Sequence, residues 1–304
     1  MAISLACIFV ILPSCIIGIS FSTLSESRMP IIVVSKEDLA GLNIKEKLLT
    51  RGVFKATNRV FEDNIIYEEV TTKVPLITTN RRLIEADHLN QFKTDLIIFA
   101  SKHKSESETP SLLVHAPGNW TADNSFGGNP NELACTSAIA IKRILKELNE
   151  KQKQQQLDYD VTSEVTHHGP TNLDAPCIFV ELGSNEEYWQ DALGGNIVAE
   201  TILKVIAEPL SRSDLKYGIG FGGPHYASNF NRIQLNTHFA VSHIAAKHVL
   251  DTITEDLITQ AIKKTVENVE YAILDWKGMV KPQRDKIIAI LNKLNIQVLR
   301  AQNI

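Results

Sequence analysis

From residue 31 onward, short β-branched or aliphatic runs alternate with amphipathic stretches, and this alternation constrains the fold more than any other feature. IIVVS (31–35), LIIFA (96–100), LLVHA (112–116), VTSEVTHHG (161–169), CIFVELG (177–183), YGIGFGG (217–223), YAILD (271–275) and IQVL (296–299) read as strands. NIKEKLL (43–49) and SAIAIKRILKELNE (137–150) carry apolar residues at helical spacing. KQKQQQ (151–156) reads as a solvated helix end or loop. Ser184 and Glu187 have capping-box spacing and predict a helix opening there and running to about 206. Further helices are expected at 233–250, 255–270 and 282–294. Strands separated by helices specify an α/β fold, a layered domain with a mixed sheet flanked by helices. No repeat and no Pro/Gly/Ser linker divides the chain, so 29–304 reads as a single catalytic domain.

Residues 1–28 are different. Positions 2–21 are almost wholly apolar, yet no Lys or Arg precedes Arg28, and Pro13 interrupts the run. A signal peptide would carry a basic n-region, while about 20 apolar residues suffice for a membrane anchor. Three readings stand: translation starting at Met29, a signal or anchor, or an apolar extension. Four cysteines, at 7, 15, 135 and 177, form no CxxC pair, which excludes a cysteine-rich zinc site and fits a reducing compartment. Thirty-one basic against 35 acidic residues give a net charge of −4, so net charge does not favour binding to nucleic acid and a local basic patch would have to serve. Lys142, Arg143 and Lys146 on one helix, Lys277, and then Arg81 and Arg82 are the candidates.

The histidines carry the chemistry. His103, His115, His167, His168 and His225 stand where strands give way to polar or glycine-rich turns, the end of an open α/β sheet where ligands bind. Each alone is better explained as a satisfied core or surface residue; together they make a joint metal or acid/base site an equal reading. On an extended chain neighbours diverge, so only one of His167 and His168 should face it. His243 is expected on a core-facing helix, either structural or part of the site, with His238 and His248 solvated. Glu164 and Glu181 interrupt strand-like runs. A carboxylate within IFVEL is costly to bury unpaired, so Glu181 either meets a base or ligand or sits at an exposed strand end. The glycines from 218 to 223 do not match G-x-G-x-x-G, and the Walker, G-x-S-x-G and H-E-x-x-H patterns are absent.

Taken together, SKHKS followed by SLLVHAPGN (101–119), the Gly127-Gly128 turn, EVTHHGPT (164–171), PCIFVELGSNEEYW (176–189) and GFGGPHYA (220–227) resemble the D-aminoacyl-tRNA deacylases of the archaeal and plant type. The resemblance spans essentially all of 29–304. It implies a fold similar to peptidyl-tRNA hydrolase and phosphorylase-like domains, and a hydrolase that cleaves the ester joining a D-amino acid to tRNA. It also implies Zn2+ as cofactor, D-aminoacyl-tRNA as the only partner, a monomer and a cytoplasmic location. By position it assigns roles to His103, His115, Glu164, His167, His168, Glu181, His225, Tyr226 and His243. His115, His168, His225 and Glu164 become the expected metal ligands. His167, His168, Glu181 and His225 become the expected catalytic set, and His103, Gly222, Gly223, Tyr226 and His243 the expected substrate contacts. Relatives commonly have Gly where this chain has Pro224, and His238 and His248 match nothing in the family. Zinc would lower the pKa of a bound water and relieve charge on the carbonyl oxygen. A metal-free route, with a neutral His as base and the N–H groups of Gly222 and Gly223 as oxyanion hole, stands beside it. A tRNA-end binding protein without catalysis, or a different ester or nucleoside hydrolase, are the competing functions.

Overall fold

The computed structural model describes residues 29–208 and 214–304. The apolar stretch at 2–21 lies outside the described residues. No described helix is long and apolar enough to cross a membrane.

The elements follow in the order β1 (Ile31–Ser35), α1 (Leu39–Thr50), β2 (Phe54–Phe61), β3 (Asn64–Glu69), β4 (Pro75–Thr79), β5 (Ile97–Lys104), β6 (Ser111–His115), α2 (Ala138–Gln155) and β7 (Asp160–Ser163). Next come β8 (Cys177–Ser184), α3 (Glu186–Trp189), α4 (Ala192–Ile206), β9 (Lys216–Phe221), α5 (Ser228–Asn236) and β10 (Phe239–Ala245). The chain ends with α6 (Glu255–Lys263), β11 (Tyr271–Leu274), α7 (Lys281–Lys293) and β12 (Gln297–Arg300). The architecture is α/β, a mixed sheet flanked by helices, with the strands divided between two sheets. The larger has the order β2-β3-β4-β1-β5-β8-β6-β7, and the smaller β10-β9-β11-β12. The pairs β2/β3, β3/β4 and β6/β8 are antiparallel and all others parallel.

Two expectations are corrected. The helix at 233–250 is a short helix, α5, followed by the strand β10. All seven residues of β10 are buried, and a strand buried on both faces shows no polar–apolar alternation to distinguish it from a core helix. His243 therefore stands on a strand. The helix expected from Ser184 is two helices. Asn185 caps the first, accepting from the Glu187 and Tyr188 N–H groups, and Asp191 caps the second through Gly194.

Period-two alternation of β5 and β8 sorts the core and builds the site. Ile98, Ala100, Ile178, Val180 and Leu182 enter the cluster beneath α1, α2 and α4. Ile97, Phe99, Cys177 and Phe179 enter the opposite cluster. Continuing along that second face, the same alternation delivers Ser101, His103 and Glu181.

Candidate active site

Glu181 is the hub of the first sheet's contribution. Register places Ser101 beside it on β5 and Leu113 beside it on β6, with His115 across from Phe179. Ser101 Oγ donates to Glu181 Oε1 at 2.7 Å. His103 Nδ1 lies 3.5 Å from Glu181 Oε2, and His115 Nε2 lies 3.8 Å from Oε1. The acid within the apolar strand is thus buried and paired. Burial alone would raise its pKa, but the neighbouring His103 and His115 imidazoles hold it well below the ordinary carboxylate range.

His103 reaches a second carboxylate, with Nδ1 3.6 Å from Glu164 Oε2. Its Nε2 is 3.2 Å from the Tyr226 hydroxyl, which itself donates to Ser105 Oγ at 2.9 Å. The phenol proton is therefore committed, and Nε2 is the donor to Tyr226. Burial disfavours charge on His103, but Glu181 and Glu164 outweigh it and its pKa is raised. The two carboxylates raise that of His115 in the same way.

The 164–168 segment runs between the two sheets. Val165 N–H donates to His225 O, Thr166 N–H to Ile244 O, and Gly118 N–H to His168 O at 2.7 Å. The expected strand ends at Ser163, and His168 takes a left-handed φ of +47°. That turn overrides the extended-chain rule, so both histidines face the site. Their ring centroids are 4.5 Å apart, and both lie against His115, at 4.3 and 4.8 Å. His167 Nδ1 is 2.8 Å from Val165 O, and His168 Nδ1 is 2.7 Å from Gly169 O. These carbonyls fix the protons on Nδ1 and leave each Nε2 lone pair open, the posture of a metal-binding imidazole. Burial pushes His167 well below its usual range and His168 to about 4, helped by neighbouring imidazoles.

His225 follows the glycine turn after β9, and its Nε2 is 2.8 Å from Glu164 Oε1. Three groups have ligand atoms within 4.8 Å of one another: His115, His167 and His168; Glu164, His167 and His225; and His103, Glu164 and Glu181. Buried His115 Nε2 and Glu164 Oε2 have no hydrogen-bond partner. Buried imidazole and carboxylate atoms left without hydrogen bonds at such spacings fit a metal ion. His167, absent from the expected ligand set, belongs to two of the three groups.

Other expected contacts are not brought to the site. Gly222 and Gly223 adopt φ of +96° and +82°, which explains the glycines. Their N–H groups already donate to Ala245 O and Gly278 O, so neither is free to form an oxyanion hole. His243 is fully buried and its Nδ1 is 3.2 Å from Thr166 Oγ1; it lines neither cavity at the site. Burial depresses it to about 3. Lys142 donates to the carbonyls of Gln234, Thr237 and Phe239, and Arg143 pairs with Glu208 at 2.6 Å, so these two are committed to structure, while Lys146 is exposed beside Glu150 at 3.7 Å.

Two cavities meet at the histidines. One, of about 240 Å³, runs past Trp120, Val165, Ala246 and Val249. The other, of about 470 Å³, runs past Asp38, Arg82, Ser101, Lys102, His103 and Glu181. Sequence reasoning missed Ser101, Asp38, Trp120 and Phe126: Ser101 opens the SKHKS run but has no imidazole or charge to mark it, and the other three stand in no motif of recognisable chemistry.

Fold and site together define an α/β protein with a buried histidine–carboxylate centre that could hold a metal ion. Residues 90–299 match the family model for D-aminoacyl-tRNA deacylase. The D-aminoacyl-tRNA deacylase of Thermococcus kodakarensis is 36% identical over 90% of this chain and 100% of its own length. That of Methanosarcina acetivorans is 38% identical over 90% of this chain and 92% of its own. The crystal structure of a conserved protein of unknown function superposes with a TM-score of 0.82 at 32% identity, covering 91% of this chain and 96% of the other. The chain belongs to the D-aminoacyl-tRNA deacylase family and is an enzyme of that class.

Proposed function

We propose that this enzyme hydrolyses the ester between a D-amino acid and the terminal ribose of tRNA, at a zinc ion held by His115, His167 and His168. One observation carries the reading: buried imidazole and carboxylate atoms without hydrogen bonds converge where two cavities meet. Bound there, zinc would supply a water acidic near neutral pH and polarise the ester carbonyl.

The remaining residues divide the proton work. Glu181, held ionised by its imidazole neighbours, is too weak a base to take a proton and serves to orient His103. Glu164 Oε2 makes no hydrogen bond, lying 3.6 Å from His103 Nδ1, while Oε1 is held by His225, so Oε2 is the acceptor for the proton of the attacking water. His103 carries a proton close to Glu164 and can return it to the departing ribose oxygen. His225 thus positions Glu164, and the metal set becomes three histidines. The unpaired thiols Cys135 and Cys177 support a cytoplasmic enzyme; we take it to act as a monomer, built as one catalytic domain over 29–304.

The test is release of free amino acid from D-aminoacyl-tRNA, L-aminoacyl-tRNA and peptidyl-tRNA, using chelator-treated enzyme with and without zinc. Zinc-dependent release from the D-ester alone is expected. Equal rates on all three, or full activity without metal, would overturn the reading.

A further inference from the structure

Phe126 is a large aromatic residue left 67% exposed, and it borders both cavities. Among the described residues only His167, His168 and His225 share that position. Its backbone is fixed. Phe126 O accepts from Gly169 N–H at 3.0 Å, which ties it to the histidine segment, and Gly127 N–H closes onto Asn124 O at 3.0 Å. A Cβ at Gly127 would lie 2.2 Å from Ile84 O, so the loop packs backbone to backbone on the opposite wall. An exposed apolar ring held this firmly beside a catalytic centre costs solubility unless it meets a flat ligand face.

The larger cavity has cations at its rim. Arg82, Lys102 and Lys104 line it and are exposed. Arg82 pairs only with exposed Glu85, at 3.3 Å, and Lys102 leans over the Trp189 ring at 5.2 Å. Deeper in, Asp38 and Ser101 offer acceptors suited to sugar hydroxyls. Glu37 at the rim is the one acid opposing a phosphate there. The smaller cavity carries no Lys or Arg and suits a side chain.

We propose that the larger cavity seats the 3′-terminal nucleotide of the acceptor end. The base stacks on Phe126, the phosphate meets Arg82 and Lys104, and the aminoacyl group enters the cavity beside Trp120. This rests on the deacylase reading and adds to it the orientation of the substrate. Base–aromatic stacking is indifferent to sequence and suits a single-stranded end.

Two measurements test it. In the first, KM and kcat of wild type, Phe126→Ala and Phe126→Tyr are compared on D-aminoacyl-tRNA and on a D-amino acid methyl ester, which has no nucleoside. The KM ratio of the alanine variant to wild type should be about tenfold greater on tRNA than on the methyl ester, with kcat changed less than KM and the tyrosine variant restored. Equal ratios on the two substrates would overturn the proposal by placing Phe126 against the aminoacyl group. In the second, Phe126→Trp is titrated with AMP and its fluorescence followed, a readout that needs no activity. Quenching that weakens in an added Arg82→Ala background supports the nucleotide seat, and no response to AMP overturns it. Wild type inactive on every ester, with AMP still quenching, would sink the deacylase reading and leave the nucleotide seat standing.

Discussion

His225 Nε2 lies 2.8 Å from Glu164 Oε1, while Oε2 of the same carboxylate is buried without a hydrogen bond, 3.6 Å from His103 Nδ1. One oxygen is clamped and the other kept free for chemistry. His225→Ala should lower turnover by at least about 100-fold, the scale of a lost acid/base contribution, and should leave zinc content unchanged because the three-histidine set is intact. Steady-state kinetics with metal analysis checks both. Loss of zinc in the folded variant would make His225 a ligand instead.

Alanine at His167 or at His168 should each abolish activity and lower zinc affinity, since both rings pack on His115. Zinc titrations and melting curves of the two variants settle the matter. A variant that is folded, zinc-replete and active would remove that residue from the centre.

The strand runs that carry Ser101, His103, His115 and Glu181 were legible because β5, β6 and β8 are short, β-branched and buried, and a charge within such a run must find partners. The convergence of His103, His115 and His225 was legible from their places at strand ends. The direction of the His167–His168 pair was not, because a single left-handed φ at His168 reverses what alternation implies. Strands β2 to β4 were illegible for another reason: six of the eight residues of β2 are exposed or half-exposed, so no buried face marks the period. Gly222 and Gly223 mark a turn, but only hydrogen-bond geometry reveals that their N–H groups are spent.

Lys142 shows how a surface reading fails in three dimensions. Its ammonium caps three carbonyls around the end of α5 and the start of β10. Lys142→Ala should cost about 2 kcal/mol of stability, as expected when carbonyls lose a charged donor. It should leave the salt dependence of tRNA binding unchanged, whereas a lost phosphate contact would reduce the slope by nearly one. Urea unfolding and binding at several salt concentrations separate the two roles.

Asp38 gives a pH signature. It caps α1 through Gly41 N–H and also accepts from Lys102 N–H, and burial pushes its pKa from 3.8 up to about 6. The folded state therefore holds its proton more tightly than the unfolded chain does. The associated stability is fully present below pH 3.8 and is lost as pH rises through about 6. The displacement corresponds to about 3 kcal/mol. Asp38→Asn keeps an oxygen for the helix cap but cannot titrate. Its stability relative to wild type should thus climb by up to about that amount between pH 4 and pH 7, whatever the offset from the altered contact with Lys102. Urea unfolding of both proteins across this range measures the difference; parallel curves would mean that Asp38 is already ionised at the lower end.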